Sequence, residues 1–378
     1  MDHHLPRSGA HKLMLGFLFT CITMMLYCFS TPTFQANTPR FSVPAPCANK
    51  TPPWQKKNDF FSTTEVEHCV PKVNLMFLKT HKAASSTILN ILLRFGEKNG
   101  LKFALPNGRN DFSYPATFTR MHVKDYRPGA CFNIICNHMR FNAPEVEALL
   151  PGDAFFFTIL RDPALVFESS FHYYNRVVPL TWRIHEDPIV DSAIRAIAER
   201  FQLVLIAEHF EESLILLKDA LCWQMDDLLF FNMNTRRPTS VSQLTPELRA
   251  KAREWNGVDW KLYRYFNATL WAKVDAYGRK RMEKEVKELR QRNSEMAAIC
   301  ISGGMAVEAQ DIRDQSMRPW QPVGESSILG YNMRSNIEQR YRELCRKMLT
   351  PEIQYLTDLG VNLWMTRLWG WFKAILTL

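Results

Sequence analysis

The sequence has few glycines, and none where a nucleotide-hydrolysing enzyme would need them. Only 15 of the 378 residues are glycine, which excludes a collagen-like repeat. No glycine lies between Phe77 and Phe95. The phosphate-binding motif GxxxxGK(S/T) of ATPases and GTPases is therefore absent from the first predicted strand–helix junction. A nucleotide kinase of that class is disfavoured.

The chain is neither polar enough to be disordered nor apolar enough to cross a membrane many times. Hydrophobic residues make up 46% and charged residues 22% of it, which fits one large globular domain or two modest ones. The formal net charge is +9. This surplus fits an anionic partner: nucleic acid, an acidic membrane face or a phosphorylated ligand. Composition does not choose among them.

One long segment near the N-terminus lacks charge altogether. No charged residue lies from Leu13 to Phe29, and Arg7 and Lys12 precede this run. The pattern predicts an uncleaved signal anchor over residues 13–30, with a cleaved signal peptide as the alternative. The positive charges then keep residues 1–12 in the cytoplasm and place the rest in the lumen. Residues 31–72 carry seven prolines and are predicted to form an extended stem.

Sequons and cysteines agree with a lumenal location. Asn49 and Asn267 each begin an Asn-x-Thr triplet, so both are candidate glycosylation sites. In an oxidising lumen some of the seven cysteines beyond the anchor should pair, and their odd number leaves at least one without an intramolecular partner. Their spacing matches no zinc motif, and no metal is expected. These cysteines are Cys47, Cys69, Cys131, Cys136, Cys222, Cys300 and Cys345.

Residues 73–378 are predicted to form one α/β domain, with a parallel sheet flanked by helices. Helical patterns cover residues 87–95 and 211–222, another helix should start at Asp162-Pro163, and the chain beyond residue 240 is mostly helical, including a charged stretch from Trp271 to Met296. Alternating strands and helices favour a parallel sheet. The predicted strands are the apolar runs 73–78, 132–136, 154–160 and 203–206.

Polar residues follow two of these strands, at the edge where open α/β sheets bind ligands. After the first strand, residues 79–87 combine small side chains with four hydroxyls and Lys82, so the next helix is predicted to bind an anion at its N-terminus. After the third predicted strand, Arg161 and then Ser169 are placed to hold a second phosphate. Two such sites suit a nucleotide with phosphates at both ends of its ribose. An ordinary turn and a capped helix without a ligand remain the alternatives.

Six longer blocks of this sequence resemble the galactose 3-O-sulfotransferases. The resemblance runs from about residue 70 to the C-terminus, and blocks of this length are far more specific than any short motif. The blocks are FLKTHKAASST, LKFALPNGRNDFSYPATF, DYRPGACFNIICNHMRF, LRDPALVFESSFHYY, PWQPVGESSILGYN and TPEIQYLTDLGVNLW.

The resemblance implies a P-loop-like sulfotransferase fold and a single-pass type II protein of the Golgi membrane. It implies PAPS (3'-phosphoadenosine 5'-phosphosulfate) as donor and the 3-hydroxyl of galactose as acceptor, in galactosylceramide and related galactolipids or, alternatively, in glycoprotein glycans. Nucleic acid is not an expected partner, and a homodimer is left open. The implied donor-binding residues are Lys79, Thr80, His81, Lys82, Ala83, Ala84, Ser85, Ser86, Thr87, Arg161 and Ser169.

Two residues are predicted to act in catalysis. Lys82 is placed to stabilise the charge that develops on the leaving phosphate oxygen. His138, with Phe141, resembles the HxxF motif of related carbohydrate sulfotransferases, whose histidine serves as base. His81 is the second candidate for the base, and a polar histidine at a strand end is the structural alternative for His138. Residues 320–332 resemble the loop that closes over the nucleotide.

Two segments leave the acceptor side open. Only Arg183 to Glu199 lie between the PLTW and RFQLVL motifs, and this segment is shorter than in members of the family. An inactive variant that still binds PAPS or carbohydrate therefore stays an alternative. The C-terminal Leu363 to Leu378 are rich in tryptophan and apolar residues. They are predicted to form a terminal helix packed on the core, with an interfacial helix near the membrane as the alternative.

Overall fold

A five-stranded parallel sheet forms the centre of the protein. The computed structural model describes residues 69–173, 187–321 and 327–364. The strand order is β2-β3-β1-β4-β5, and each neighbouring pair is parallel, which confirms the predicted α/β class. The strands are β1 (Leu75–Leu78), β2 (Phe103–Ala104), β3 (Ile134–Ile135), β4 (Phe155–Leu160) and β5 (Leu203–Ile206).

All four predicted strands are present, and β2 is the one that the sequence pattern missed. It has two residues, too few for a hydrophobic pattern to reveal. The strands β1 and β3 are shorter than the apolar runs that predicted them. An apolar run continues as far as side chains are buried, whereas a strand ends where its ladder of backbone hydrogen bonds ends.

Helices flank the sheet and form most of the chain after β5. The predicted helix after Asp162 is α3, and the helix predicted at 211–222 is α5, so both are confirmed. The helices are α1 (Ser85–Lys98), α2 (Ala143–Glu147), α3 (Pro163–Tyr173), α4 (Asp187–Arg200), α5 (Phe210–Leu221), α6 (Pro246–Trp255), α7 (Gly257–Tyr277), α8 (Arg279–Cys300), α9 (Gln339–Leu349) and α10 (Glu352–Asp358).

The strands β1 and β4 lie side by side and bring the two predicted anion sites together. Leu78 at the end of β1 is in register with Thr158 of β4, and the Thr158 hydroxyl donates to the Leu78 carbonyl at 2.8 Å. Because both strands run in the same direction, the residues that follow them emerge at the same edge of the sheet. The loop at residues 79–84 and the Arg161-Asp162 pair are therefore neighbours.

Helix α1 is buried along most of its length, and this fixes the loop that precedes it. Every residue from Thr87 to Gly96 is buried, and each fully buried leucine or isoleucine stabilises the fold by about 1.5–3 kcal/mol. Near its end the helix approaches β2 closely. A Cβ atom on Gly96 would lie 2.2 Å from a ring carbon of Phe103, so a larger residue there would force the two elements apart.

The charged stretch predicted to be helical from Trp271 to Met296 is divided into two helices. Helix α7 ends at Tyr277 and α8 begins at Arg279. Between them, Gly278 has a φ of +97°, a conformation that glycine adopts without the steric cost a side chain would add. The two helices contact α5, and α7 also contacts β5.

Disulfides connect distant parts of the described chain, as the cysteine count predicted. Cys69 is bonded to Cys222, which ties the segment before β1 to the end of α5. Cys300 at the end of α8 is bonded to Cys345 of α9. Cys131 is disulfide-bonded as well. Cys136, at the end of β3, is the free and buried cysteine of the described part of the chain.

Several predictions concern parts of the chain that the structure does not describe. The cytoplasmic tail, the anchor, residues 31–68 of the stem and Asn49 lie outside the described residues. So do residues 174–186, residues 322–326 of the block near Trp320, and residues 365–378 of the C-terminal segment. Within the described ranges, no helix has both the length and the apolar character that a membrane span requires.

Candidate active site

The loop between β1 and α1 has the backbone geometry of an anion site. Lys82 and Ala84 both have a φ of +58°, the left-handed region that costs a non-glycine residue about 1–2 kcal/mol. Ala84 is the N-cap of α1, with no side-chain cap and no acidic residue in the first turn. The first amides of a helix have no intrahelical acceptor, so this N-terminus favours an anion. A helix capped by a serine, which was the alternative, is not what the structure shows, because the N-cap is Ala84.

The hydroxyl groups of the loop make hydrogen bonds within the protein. The Ser85 hydroxyl donates to the Thr80 carbonyl at 2.6 Å, and the Thr80 hydroxyl donates to the Ile159 carbonyl of β4 at 2.6 Å. The Thr87 hydroxyl accepts from the backbone amide of Met233 at 3.1 Å. These hydroxyls fix the shape of the loop, and their predicted contact with the donor stays a prediction.

Positive charges crowd around Lys82. Its ammonium lies 3.7 Å from the centre of the Tyr173 ring, and its carbonyl accepts a hydrogen bond of 3.0 Å from Arg161. Burial, followed by the nearby charges of Arg236 and Arg161, lowers the pKa of Lys82 to about 7. Cations that are held together against their mutual repulsion favour an anionic ligand.

Arg161 lies in this cluster, and Ser169 lies further along the chain in α3. Arg161 follows β4 directly, and burial lowers its pKa. Ser169 lies two turns along α3 and is 4% exposed. Beside it, Glu168 forms a buried ion pair with Arg236 and accepts from the Ser242 amide at 2.9 Å. The structure thus brings Arg161 into contact with the 79–84 loop, as the shared sheet edge predicts.

Lys79 contacts both ring nitrogens of His138. The Lys79 carbonyl lies 2.9 Å from Nδ1 of His138, and the Lys79 ammonium lies 2.8 Å from Nε2. A carbonyl only accepts and an ammonium only donates, so His138 is neutral, with its proton on Nδ1 and its Nε2 lone pair taken by Lys79. Burial and the charge of Lys79 lower the pKa of His138 well below its ordinary value.

His81 stacks on His138, and the two are called the histidine pair below. Their ring centres are 4.0 Å apart and their planes differ by 7°. Burial, followed by the charges of Lys79 and Lys82, lowers the pKa of His81 to about 4. Both imidazoles are therefore neutral at physiological pH, which is the protonation state that a general base requires.

Glu352 is the acidic residue of this network, and it comes from the far end of the chain. Its carboxylate lies 3.1 Å from the Lys79 ammonium and accepts from the Ser86 hydroxyl at 2.9 Å. That hydroxyl in turn accepts from the side-chain amide of Asn234 at 2.9 Å. The Oε1 atom of Glu352 is buried and has no hydrogen-bond partner. One carboxylate thus neutralises the buried lysine next to His138.

Sequence patterns missed the residues that complete the site. Glu352 lies in the first turn of a short helix, Arg236 lies in a loop, and Tyr173 ends α3. None of the three belongs to a local motif with a chemical meaning. The segment around Trp320 belongs to one of the blocks that carry the family resemblance. The centre of the Trp320 ring lies 5.5 Å from that of the Tyr173 ring. Ile328 of the same segment forms an antiparallel bridge with Arg236.

The structure also describes the sequon at Asn267, the potential metal ligands and a cavity at another part of the sheet. Asn267 lies in the middle of α7, and its side-chain oxygen is buried without a hydrogen-bond partner. Among the described residues, no group of three or more metal-ligating side chains is close enough to hold a metal ion. A cavity of about 580 Å³ lies at the opposite, amino end of the strands, next to Ala154, Phe156 and Gln202. It is remote from Lys82.

Comparison with known proteins decides which family this site belongs to. The sequence model of the family "Galactose-3-O-sulfotransferase" matches residues 3–191 and 185–363, which together cover most of the chain. The chain belongs to the galactose-3-O-sulfotransferase family. Members of this family are sulfotransferases, so the protein is a sulfotransferase.

Relatives within the galactose-3-O-sulfotransferase family align over 76% to 98% of the chain. The galactosylceramide sulfotransferase of Homo sapiens is 47% identical over 411 residues, covering 98% of this chain and 97% of the relative. The enzyme of the same name from Bos taurus is 46% identical, with the same coverage. Galactose-3-O-sulfotransferase 2 of Sus scrofa is 40% identical and covers 76% of this chain and 84% of the relative.

The human relative also has positions that this family member lacks. The alignment with the human relative is 411 residues long, whereas the chain has 378, so at least 33 of its positions have no counterpart here. The family model matches in two segments, which overlap at residues 185–191. That place lies within Arg183 to Glu199, the segment that was predicted to be shortened.

Proposed function

We propose that this protein transfers the sulfuryl group of PAPS to the 3-hydroxyl of galactose in galactosylceramide and related galactolipids, giving sulfatide. The observation that carries the proposal is the cluster of Lys82, Arg161 and Arg236 at the N-terminus of α1, directly beside a neutral histidine pair. Binding an anionic donor and deprotonating a hydroxyl are the two tasks of this reaction. The site supplies one group of residues for each.

The residues of the cluster fit the charges of PAPS. PAPS carries a phosphosulfate at the 5' position of its ribose and a phosphate at the 3' position, and when bound it supplies the activated sulfuryl group. The amides at the start of α1 and Lys82 fit the phosphosulfate. Arg161 and Ser169 fit the 3'-phosphate. The lowered pKa of Lys82 supports this assignment, because an anion relieves the repulsion that lowers it.

The groups present account for each bond and proton of the transfer. The galactose 3-oxygen forms a bond to sulfur while the bond from sulfur to the phosphate oxygen breaks, and 3'-phosphoadenosine 5'-phosphate leaves. The Lys82 ammonium stabilises the charge on that leaving oxygen. The proton of the 3-hydroxyl goes to a neutral imidazole of the histidine pair, at a nitrogen that carries a lone pair.

His138 acts as the base only if Lys79 first releases its Nε2 atom. In the structure that lone pair accepts from the Lys79 ammonium at 2.8 Å. A lysine that turns toward the phosphosulfate would leave the lone pair open for the acceptor proton. His81 is the second candidate, since its ring lies against that of His138 and its pKa is also low.

The relatives support a galactolipid as the acceptor. Three relatives that align over 98% of the chain are named galactosylceramide sulfotransferase. The relatives named galactose-3-O-sulfotransferase 2 and 4 align over 76% and 78% of it. Galactose at the ends of glycoprotein glycans is the second candidate acceptor. A variant that binds PAPS without transferring sulfate is the third, because the family match breaks at residues 185–191.

We also propose that the protein is anchored in the Golgi membrane by residues 13–30 with its catalytic domain, residues 73–378, in the lumen. The uncharged N-terminal run supports the anchor, and the disulfides support the lumen, since disulfides persist in oxidising compartments. Treatment with an N-glycosidase should lower the apparent mass if Asn49 or Asn267 is lumenal and used. Unchanged mass together with a protease-accessible catalytic domain in intact microsomes would contradict this orientation.

The function is tested by incubating the detergent-solubilised full chain with labelled PAPS and a panel of acceptors. The panel contains galactosylceramide, glucosylceramide and a galactose-terminated glycopeptide. We expect label on galactosylceramide and none on glucosylceramide, and Lys82→Ala should abolish the transfer. Label on the glycopeptide alone would favour the second acceptor. Nucleotide binding without transfer to any galactoside would favour the inactive variant.

A further inference from the structure

Tyr114 is an exposed aromatic residue beside the histidine pair. Its side chain is 45% exposed, and its ring centre lies 5.3 Å from that of His81, at an angle of 64°. His81 in turn stacks on His138. Lys82 of the donor-binding cluster lies over a different ring, that of Tyr173, which also contacts Trp320.

The segment that carries Tyr114 is fastened to the site on both sides. The Phe112 amide donates to the His138 carbonyl at 2.8 Å, and the Phe118 amide donates to the Arg140 carbonyl at 2.9 Å. Phe112 and Phe118 are fully buried and contact each other edge to face, with ring centres 5.1 Å apart. Two buried aromatic residues thus hold an exposed one between them, at a fixed place relative to His138.

The turn at Tyr114 is tight and costs backbone strain. Its amide donates to the Asp111 carboxylate at 3.0 Å, and the Ala116 amide donates to the Ser113 carbonyl at 2.9 Å. Ser113 has a φ of +60°, in the left-handed region. Strained backbone of this kind concentrates at functional sites, where surrounding contacts hold it in place. Here the contacts present an aromatic ring to solvent instead of burying it.

A galactose ring has a surface that matches an exposed aromatic ring. The axial 4-hydroxyl points to one face, and the C–H groups at carbons 3, 4 and 5 form an apolar patch on the other. A tyrosine covers such a patch with its ring while its hydroxyl remains available to a sugar hydroxyl. A ligand site needs a few aromatic surfaces of this kind next to its polar groups.

We propose that Tyr114 is the platform on which the galactose ring of the acceptor stacks, with the 3-hydroxyl directed toward the histidine pair. This inference rests on the proposed function, because it assigns the acceptor side of the same site. It names a specificity-determining residue whose ring lies against His81, whereas Lys82 of the donor cluster lies over Tyr173.

The test compares variants of the solubilised full chain with matched acceptors. Tyr114→Ala should raise the acceptor KM about tenfold, the effect of losing about 1.4 kcal/mol, for both galactosylceramide and a water-soluble β-galactoside. The KM for PAPS should stay unchanged within about twofold. Tyr114→Phe keeps the ring and should restore most of the acceptor affinity. Tyr265→Ala, at a tyrosine of α7 that is 43% exposed, is the control and should behave like the unaltered protein.

Three results would overturn the proposal. These are an unchanged acceptor KM in Tyr114→Ala, an equal rise of the donor KM, or a Tyr114→Phe variant as defective as Tyr114→Ala. Binding of the soluble β-galactoside, measured by saturation-transfer NMR, separates this inference from the proposed function. A protein that transfers no sulfate but binds the galactoside through Tyr114 would contradict the function and support the platform. Galactoside binding that is equal in Tyr114→Ala would contradict the platform whether or not transfer occurs.

Discussion

At the scale of single residues, Lys82 links the fold to the chemistry through its proton. Its pKa is lowered from 10.5 to about 7, so between these values the unfolded chain binds more protons than the folded one. The contribution of Lys82 to the free energy of unfolding therefore rises with pH from about 7 to 10.5 and is unfavourable below that window. The folded protein holds an ammonium among other cations despite this loss of stability.

Donor affinity should depend on the same titration of Lys82, but it should fall as the pH rises. An anionic nucleotide needs the charged ammonium, so the Kd of 3'-phosphoadenosine 5'-phosphate should rise by up to about tenfold per pH unit above pH 7. Isothermal titration calorimetry from pH 6 to pH 9 measures this. Lys82→Arg keeps its charge over this range and should flatten the profile. A flat profile in the unaltered protein would contradict the assignment of Lys82 to the donor.

Arg161 should distinguish nucleotides by their 3'-phosphate. Arg161→Ala should weaken binding of 3'-phosphoadenosine 5'-phosphate by about 1.5–3 kcal/mol, the size of a hydrogen bond to a charged group. Binding of adenosine 5'-phosphate should change little. Arg264→Ala, at an exposed arginine of α7, is the control. An equal loss for both nucleotides would place Arg161 away from the 3'-phosphate.

His138 should affect turnover more than donor affinity. His138→Ala should lower kcat by about 10²–10⁴-fold, the size of a general acid–base contribution, and leave the Kd of 3'-phosphoadenosine 5'-phosphate nearly unchanged. His81→Ala should mainly disturb donor binding, since His81 lies in the 79–84 loop. If His81→Ala loses turnover with intact donor binding while His138→Ala keeps both, the base is His81. Circular dichroism establishes that each variant is folded.

At the scale of elements, α3 is held by Asp162 in two separable ways. The carboxylate accepts from the Ala164 amide at 3.0 Å, which caps the helix, and it pairs with Arg253 and Arg249 of α6 at 2.5 and 3.3 Å. Burial alone would raise the pKa of Asp162, but the hydrogen bonds from Arg253 and Ala164 hold it below its ordinary value. Because Arg161 directly precedes this cap, the cap also positions the predicted phosphate contact.

Two substitutions separate the cap from the ion pairs. Asp162→Asn keeps a good N-cap and removes the charge, whereas Asp162→Ala removes both. Asp162→Ala should therefore lose about 0.5–2 kcal/mol of unfolding free energy beyond the loss in Asp162→Asn. Urea unfolding followed by circular dichroism measures the difference. Equal stability of the two variants would mean that the carboxylate acts only through Arg249 and Arg253.

At the scale of the whole molecule, disulfides join segments that lie far apart in the chain. Cys69 and Cys222 are 153 residues apart, and Cys300 and Cys345 are 45 residues apart. A native disulfide that closes a long loop restricts the unfolded chain, and its removal costs about 2–5 kcal/mol. The pairing of Cys300 with Cys345 fixes α9, which contacts α1, against α8.

Loss of the Cys300–Cys345 bond should lower the stability of the catalytic domain. The double substitution Cys300→Ser and Cys345→Ser should lower Tm by several degrees, as measured by differential scanning fluorimetry. Addition of a reductant should cause little further change at that bond. The control is Cys136→Ser, which removes the free thiol. An unchanged Tm in the double variant would show that the bond does not contribute to folding.

The sequence alone was enough to predict the parts of the fold that depend on local patterns. Apolar runs located four of the five strands, and β5 (Leu203–Ile206) has the predicted bounds. Asp162 and Pro163 marked the start of α3 because a cap and a first-turn proline act within one helical turn. Parallel strands placed Lys82 and Arg161 at one sheet edge. The strand β2 was missed because its two residues are too few to form a pattern, and the break at Gly278 was missed because the charged pattern continues across it.

Only the tertiary structure decided how the candidate site is completed. Glu352 reaches Ser86 across 266 residues of sequence, and Lys79 reaches His138 across 59. No local pattern encodes such contacts, since they arise where the folded backbone brings separate elements together. The same holds for the lowered pKa of Lys82 and for the place of Tyr114 beside His81, because burial and proximity exist only after folding. The sequence thus indicated which chemical groups the site contains. Their protonation states and their partners depend on the folded structure.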